Sequence, residues 1–239
     1  MLAEALNSHH IQVLNWNIAK GRHLGWERDL AHLAHDSDLV TIQEAKLEYD
    51  IPQLFGAACC WTFAPGFTRP DHRTGVMTLS RAQTVNHTQH SHREPWTRLP
   101  KAALISEYRL QSMSSTLLVA NIHAINFTAG IRSFRKQLES VLEEFAHHDG
   151  PIICSGDFNT WRRKRLTIVD EVIDQLQLQP VQFASDNRKQ AFGMALDHIF
   201  VRGLYKKTAS VRPVCSSDHN PMTVTLSVEP GLARSLGAA

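Results

Sequence analysis

The feature that most constrains the fold is a series of short runs that are apolar on both faces. One of them, Pro151–Ser155, reads PIICS and places Ile, Ile and Cys in succession. Runs of four to eight such residues predict strands in sheets that are covered on both sides. The main runs are Ile11–Ile18, Leu39–Gln43, Gly75–Ser80, Ala102–Leu110, Thr116–Ile122, Pro151–Ser155, Ala195–Val201 and Met222–Val228, with shorter candidates at Cys60–Ala64, Thr84–His87 and Ser210–Val214.

Helical spacing of apolar residues appears in three segments, which are Trp26–Ala34, 129–147 and 164–178. Thr128 precedes the second segment and is predicted to be its N-cap. Strands outnumber helices, and sheets that are buried on both sides need covering layers. We therefore predict an α/β (α+β) fold in which two packed sheets are flanked by helices.

The chain is organised as one unit. Its 239 residues are 43% hydrophobic, which is enough for a large core, and no repeat or linker divides the sequence. We predict a single domain over residues 1–239, with a core at about 11–228 and a disordered tail at 229–239.

Charge and cysteine usage limit the compartment and the partners. The balance of 25 basic and 23 acidic residues gives a formal charge of +2, so binding of nucleic acid would need a local basic patch. The four cysteines lack C-x-x-C spacing and are predicted to be reduced. Neither a signal peptide nor an apolar stretch of about 18 residues is evident. We predict a cytoplasmic protein with no membrane partner and no obligate protein partner.

Polar side chains recur where the predicted strands begin or end. Each has a simple alternative reading, because Asn and Asp form turns and a lone His or Asp can be a satisfied core residue. Buried carboxylates and imidazoles are nevertheless costly unless they are paired or bound to metal. Their recurrence predicts one shared site. The residues concerned are Asn17, Glu44, Asn121, His123, Asn126, Asp157, Asn159, Asp197, Ser217, Asp218, His219 and Asn220.

The side-chain types in this set indicate the kind of ion. They are mainly carboxylates and carboxamides, with no cluster of thiolates. Hard oxygen ligands favour Mg²⁺ or Mn²⁺ over Zn²⁺. An ion of this kind polarises a phosphate and helps to form hydroxide, so the set predicts phosphoryl chemistry.

Six strings carry a family resemblance. In chain order they are WNI, IQEAK, NIHAINF, GDFN, LDHIF and SDHNPM, and they extend over most of the chain. As an ordered set they resemble the endonuclease/exonuclease/phosphatase superfamily, and TGVMTLS and RKQAFGMALDHIFVRGL are most similar to its bacterial YafD-like branch. The resemblance implies a deoxyribonuclease-like, four-layered sandwich of two mixed β-sheets flanked by helices, with the active site at one edge of the sheets.

The resemblance also implies a role for each matching residue. Glu44 would be the principal metal ligand, with Asn17 and Asp218 near the ion. Asp157 would orient or deprotonate the attacking water, and Asn159 would hold the phosphate or the nucleophile.

The remaining matches concern the phosphate and the leaving group. His219 would contact a phosphate oxygen while paired with Asp197, which is expected to fix its tautomer. His123 would help to protonate the leaving oxygen or bind the phosphate, and Asn126 would contact the phosphate. Met194 replaces the Trp of the abasic-site endonucleases, which argues against that specificity.

The string WRRKR directly follows GDFN. Trp161 is predicted to stack a base, and Arg162 and Arg163 to grip a nucleic-acid backbone. The alternative is a solvated loop in which Trp161 is a packing residue. The leading hypothesis is a phosphodiesterase dependent on Mg²⁺ or Mn²⁺, a nuclease acting on DNA or RNA. The alternatives are a phosphatase or diesterase for a small-molecule or lipid phosphate and, more remotely, a catalytically inactive binding protein.

Overall fold

A computed structural model describes residues 2–56, 58–70, 72–95, 97–128 and 130–229. Apart from Glu229, the predicted tail lies outside the described residues. The helices are α1 (Trp26–Ala34), α2 (Ile51–Phe55), α3 (Arg132–Ala146) and α4 (Arg163–Gln175), and Ala19–Gly21 form a 3-10 turn. The strands are β1 (Ile11–Asn17), β2 (Leu39–Lys46), β3 (Cys60–Thr68), β4 (Arg73–Ser80), β5 (Thr84–Arg93), β6 (Pro100–Arg109), β7 (Thr116–His123), β8 (Ile152–Asp157), β9 (Gln179–Pro180), β10 (Gln190–Ala191), β11 (Met194–Ala195), β12 (Asp197–Arg202), β13 (Leu204–Val211) and β14 (Met222–Val228).

The larger strands form two six-stranded mixed sheets. Sheet one has the order β13-β14-β1-β2-β4-β3, and sheet two has the order β5-β6-β7-β8-β12-β9. Each sheet holds one parallel pair near its middle, β1 with β2 and β7 with β8, and its other pairings are antiparallel. The predicted fold class is confirmed.

Apolar clusters on the outer faces attach the helices to the sheets. On sheet one, Trp16 and Ile42 pack with Leu30 of α1. On sheet two, Ile122 packs in one cluster with Phe134 of α3 and with α4. A third cluster fills the space between the sheets. These three clusters explain why the strands are apolar on both faces, and they give four layers in the order helix, sheet, sheet, helix.

The inner faces of the sheets change from apolar to polar along the strands. Alternate residues of a strand share a face, and in β1 these are Ile11, Val13, Asn15 and Asn17. The first two belong to the apolar cluster between the sheets, while the last two are buried polar residues. Strand β7 repeats the change through Leu117, Val119, Asn121 and His123. Both series end in a residue of the predicted site.

A buried polar layer connects the two sheets at the point where their inner faces change from apolar to polar. Thr41 lies 2.9 Å from Ser155 across the interface, measured between the hydroxyl oxygens. The Gln43 amide donates to Asn15 over 2.9 Å and to Asn121 over 2.8 Å. Asn121 in turn donates to two backbone carbonyls of sheet one. Asn121, which the sequence grouped with the site, therefore belongs to this inter-sheet layer.

Most predicted strands differ from the observed ones by a few residues, and two differ by more. The strand predicted at Thr84–His87 continues to Arg93, and the one predicted at Ser210–Val214 is instead Leu204–Val211. Both are edge strands rich in exposed polar residues. A strand of this kind has no continuous apolar run to mark its length.

The helix predictions hold for α1 and shift for the longer helices. α3 begins at Arg132, and its N-cap is Ile131 without a side-chain hydrogen bond, so the predicted cap at Thr128 is wrong. Thr128 instead donates to the Gly130 carbonyl and accepts from Arg165. Within the described ranges, no helix has both the length and the apolar character needed to cross a membrane.

Candidate active site

Three neighbouring strands of sheet two place polar residues directly opposite one another. His123 of β7 is opposite Asp157 of β8, and Asp157 is opposite Asp197 of β12. A Cβ atom on Gly156 would lie 2.0 Å from the Ile122 carbonyl oxygen. Only glycine therefore lets β8 approach β7 this closely, and the close approach fixes the position of Asp157 beside His123.

Asp157 is buried and is held from both sheets. The Asn17 amide, from sheet one, donates to Asp157 Oδ2 over 3.0 Å, and the Asn159 backbone N–H donates to Oδ1 over 3.0 Å. The Nε2 atoms of His123 and His219 lie 3.6 and 3.9 Å from Oδ2. Burial raises the pKa of Asp157 to about 6, although the positive charge of His219 opposes the rise. This carboxylate can therefore exchange a proton near neutral pH.

His219 and Asp197 form a buried ion pair. Nδ1 of His219 donates to Asp197 Oδ2 over 2.7 Å. Burial lowers the pKa of His219, but the Asp197 and Asp157 carboxylates outweigh it and raise the pKa to about 10. Potential ligand atoms of His219, Asp197 and Asp157 lie within 4.8 Å of one another, a spacing that could hold a metal ion. A metal-bound imidazole must be unprotonated, so the raised pKa favours an ion pair at these three residues.

The segment before β14 places His219 by binding to the end of β1. Ser217 Oγ donates to the Asn17 carbonyl over 2.6 Å and accepts from the His219 N–H over 3.1 Å. The Trp16 indole donates to the His219 carbonyl over 3.0 Å. Asp218 lies on the exposed side of this segment, and its charge contributes to the raised pKa of His219.

Glu44 reaches the site through an irregularity in β2. Pairing of β2 with β4 shifts register between Ile42 and Ala45, and Glu44 has a φ of 54°. A positive φ is strained for a residue with a side chain. Such a bulge redirects a side chain that strict alternation would aim at the opposite face. The carboxylate oxygens of Glu44 lie 3.3 Å from Lys20 Nζ and 3.9 Å from His123 Nε2.

Lys101 adds a cation that the sequence interpretation missed. Its Nζ lies 2.6 Å from His123 Nε2. Burial, reinforced by Lys101, holds the pKa of His123 well below its ordinary value, so this imidazole is neutral and accepts from the ammonium group. The contacts of His123 with Glu44 and Asp157 are accordingly not ion pairs. The available signal was the lysine at the start of an apolar strand, since β6 is antiparallel to β7 and begins where β7 ends.

Asn159 is fixed by backbone contacts. Its φ is 51°, and its amide donates to the Ala124 carbonyl over 3.0 Å. Phe158 packs edge-on against Phe200, with the ring centroids 5.3 Å apart. Asp157, which precedes Phe158, faces the site, while the Phe158 ring anchors the segment in the core.

Three of the predicted substrate-binding residues, Asn126, Trp161 and Arg162, form a second group. Trp161 donates to the Asn126 side-chain oxygen over 2.8 Å, and the Arg162 guanidinium lies 4.2 Å from the centre of the indole ring. Phe192, which the sequence interpretation missed, is exposed 6.2 Å from Trp161. Arg163 is exposed at the start of α4. For Asn126, Trp161, Arg162 and Arg163, the described contacts include none to Asp157, Asp197 or His219.

Arg165, the last residue of WRRKR, is buried and structural. Its guanidinium donates to the carbonyls of Ile125, Asn126 and Asn159. The basic run thus contributes its first three cations, and not its last, to the exposed surface.

The donor set fits a hard divalent cation. Glu44 and Asp157 both approach His123, which brings two carboxylates to the same region. Asp197 Oδ1 is buried without a hydrogen-bond partner among the described residues, so the site has unused acceptor capacity. Carboxylate and carboxamide oxygens are the ligands preferred by Mg²⁺ and Mn²⁺.

Comparison with known proteins identifies one family and one fold. The family described as "Endonuclease/Exonuclease/phosphatase family" matches residues 14–219. A family protein from Leptotrichia buccalis superposes with a TM-score of 0.71 at 13% identity, covering 91% of this chain and 99% of that one. The human Nocturnin catalytic domain, with bound sulfate, gives 0.70 at 18%, covering 94% and 96%. A mannosyl-6-phosphatase from Bacteroides thetaiotaomicron gives 0.66 at 18%, covering 90% and 99%.

Proposed function

This chain belongs to the endonuclease/exonuclease/phosphatase family, and from that premise we propose that it is a divalent-metal-dependent phosphodiesterase that hydrolyses nucleic acid. The observation that carries the proposal is the buried Asp157, held by Asn17 and placed between two histidines. We further propose that it acts as a single domain in the cytoplasm and that its nearest relatives are in the bacterial YafD-like branch.

Asp157 acts as the base in the proposed reaction. It accepts a proton from water as the water oxygen forms a bond to phosphorus, and the bond from phosphorus to the leaving oxygen breaks. Its pKa of about 6 suits this task, because a general base works best when its pKa is near the working pH. Asn17 and Asn159 fix its orientation.

The proposed roles of the histidines follow from their different charges. His219 remains protonated beside Asp197 and donates to a phosphate oxygen, where negative charge grows as water attacks. The leaving oxygen keeps the electron pair of the broken bond and receives a proton from the Lys101–His123 pair, in which Lys101 carries the proton.

Glu44, Asn17 and Asp218 are the proposed holders of the ion. When bound, Mg²⁺ or Mn²⁺ would polarise the phosphate and neutralise part of its charge. Lys20, at 3.3 Å from Glu44, supplies positive charge to the same region.

The proposed preference for nucleic acid rests on the exposed group around Trp161. Trp161 and the exposed Phe192 offer neighbouring rings on which bases can stack, and Arg162 adds a cation beside them. A second candidate is a phosphatase for a small phosphate ester. A compact cavity of about 430 Å³ beside Glu44 and His123 favours it, and one structural neighbour is named as a mannosyl-6-phosphatase.

The test compares three substrates with purified protein in Mn²⁺ or Mg²⁺. They are bis(p-nitrophenyl) phosphate, a single-stranded oligonucleotide and p-nitrophenyl phosphate. The proposal predicts turnover of the first two, which stops when chelator is added. Faster hydrolysis of p-nitrophenyl phosphate than of both diesters would support the second candidate.

A pair of histidine variants separates the site from a contaminating nuclease. His219→Ala is expected to lower turnover by about 10² to 10³, the effect of losing one transition-state donor. His32→Ala, an exposed histidine on α1, is the matched control and keeps the full rate. Equal activity in the two variants would refute the proposed site.

A further inference from the structure

Basic side chains are frequent among the described residues of a cavity beside Glu44 and His123. It has a volume of about 430 Å³, and Glu44 and His123 connect it to the catalytic residues. Lys20 and Lys101 contact these two residues directly. The cavity wall also includes Arg22, Phe67 and Arg69.

Arg22 and Arg69 have no partner for their charges in the described part of the chain. Both are exposed, and neither guanidinium forms a hydrogen bond or ion pair with a described residue. The guanidinium carbon of Arg69 lies 5.1 Å from the centre of the Phe67 ring, within the distance of a cation–π contact. A guanidinium placed in this way can bind a phosphate through two parallel hydrogen bonds.

Backbone segments pack closely around Gly66 in the cavity wall. A Cβ atom on Gly66 would lie 3.0 Å from the Pro100 carbonyl and 3.2 Å from the Thr74 carbonyl. The Arg69 N–H donates to the His72 carbonyl over 2.8 Å, which closes the turn between β3 and β4. Arg69 therefore joins the cavity wall from the turn between β3 and β4, and Arg22 joins it from the end of the 3-10 turn.

Among the described residues of the cavity wall, four cations and one carboxylate give a net positive charge. The two lysines lie next to the catalytic residues, where they can meet the scissile phosphate. The two arginines therefore remain available to a second anion. The volume is within the range of small-molecule sites, about 300 to 1,000 Å³, and can hold a single nucleotide-sized group.

Resting on the proposed phosphodiesterase activity, we infer that this cavity binds a second phosphate carried by the same nucleoside as the scissile phosphate. Arg22 and Arg69 bind that phosphate, and Phe67 contacts the sugar or base. The preferred substrate is therefore a nucleoside unit with phosphates at both its 5′ and 3′ positions, such as the end unit of a phosphorylated strand.

The test uses two probes with the same scissile bond and leaving group. One is thymidine 5′-(p-nitrophenyl phosphate), and the other is the same compound with a 3′-phosphate. Wild-type protein in Mn²⁺ is expected to prefer the second probe by about tenfold to hundredfold in kcat/KM, mainly through KM, because charge-assisted hydrogen bonds bind its extra phosphate. Equal kcat/KM for the two probes would overturn the inference while leaving the phosphodiesterase proposal intact.

Arginine variants connect this preference to the cavity. Arg69→Gln and Arg22→Gln are each expected to lower turnover of the two-phosphate probe more than turnover of the one-phosphate probe, so that the preference falls at least about fivefold. Arg109→Gln is the control, because Arg109 is exposed at the opposite end of the strand that carries Lys101. An unchanged preference in both cavity variants would contradict the assignment.

A binding measurement keeps the inference testable without turnover. Calorimetry in the presence of chelator compares thymidine 3′,5′-bisphosphate with thymidine 5′-phosphate. Tighter binding of the bisphosphate, lost in Arg69→Gln, supports the second phosphate site even if neither chromogenic probe is hydrolysed. Failure of hydrolysis alone counts against the proposed function, whereas equal affinity for the two nucleotides refutes the cavity assignment.

Discussion

Asp157 is the residue of the candidate site that accepts hydrogen bonds from both sheets. Its hydrogen bonds come from Asn17 in sheet one and from Asn159 at the end of its own strand, and two histidines approach the same carboxylate. The histidines carry different charges, since His219 lies against Asp197 and His123 lies against Lys101. The environments of the two imidazoles thus keep His219 protonated and His123 neutral, which makes His219 the donor in the proposed reaction.

The charge of His219 can be measured directly. In metal-free protein, NMR titration of the histidine rings is expected to show the imidazolium form of His219 from pH 5 to beyond pH 8, with a midpoint near 10. Asp197→Asn should lower this midpoint towards the ordinary value of about 6.5, because the carboxylate that stabilises the cation is gone.

The same shift affects stability, with a definite sign. Folding raises the pKa of His219, so its contribution to the free energy of unfolding is fully present below the unfolded pKa of about 6.5 and is lost as the pH rises through about 10. Wild-type protein should therefore lose more stability than Asp197→Asn between pH 7 and pH 10. A wild-type titration midpoint near 6.5 would contradict this description of the pair.

Glu44 is the residue on which metal binding should depend most. Glu44→Gln keeps the size of the side chain but removes its charge, and we expect Mn²⁺ affinity to fall by at least about tenfold, as for lost metal-site contacts in general. Isothermal titration calorimetry measures this without any substrate. Glu143→Gln, an exposed change on α3, should bind Mn²⁺ as the wild type does. Equal affinity in both variants would remove Glu44 from the metal site.

Among the single elements, β1, β7 and β8 each have an inner face that runs from apolar residues through buried polar residues to a residue of the candidate site. The sequence shows this for β1, β7 and β8, where the side-chain alternation is regular. It could not show how Glu44 joins the site, because the register shift in β2 depends on pairing with β4. It also did not reveal Lys101, since the direction of β6 against β7 is a property of the assembled sheet.

Gly156 is the position where strand geometry and site geometry are most closely coupled. Gly156→Ala is expected to lower the free energy of unfolding by about 3 kcal/mol or more, because the new Cβ atom collides with the backbone of β7. Urea unfolding measures the change. Gly130→Ala, with no atom within 4 Å of its added Cβ, is the control and should be close to neutral. Similar stability of the two variants would show that β7 and β8 are less tightly constrained.

At the scale of the whole molecule, two similar mixed sheets face each other with their outer faces covered by helices. The apolar runs were sufficient to predict this layering, because strands that are apolar on both faces must be buried on both faces. The polar layer between the sheets was not predictable. Its central contact joins Gln43 and Asn121, which are 78 positions apart and meet only when the sheets pack.

This layer should contribute to stability independently of catalysis. Asn121→Leu removes one of the two hydrogen bonds that the Gln43 amide donates and the bond from Asn121 to the Met77 carbonyl, and we expect the free energy of unfolding to fall by about 1 to 3 kcal/mol. The exposed change Asn86→Leu on β5 should alter it by less than about 0.5 kcal/mol. An Asn121→Leu variant as stable as the wild type would mean that the polar contacts between the sheets add no net stability.

The central claim is that Asp157 is the base in hydrolysis of a phosphodiester. Its most direct test is the rate of hydrolysis of bis(p-nitrophenyl) phosphate in Mn²⁺ by Asp157→Asn, compared with Asp174→Asn on the exposed face of α4. We expect a loss of about 10³ or more for Asp157→Asn, within the range for removal of a general base, and no loss for Asp174→Asn. A rate for Asp157→Asn within about tenfold of the wild type would show that Asp157 is not the base, because that effect is too small for a general base.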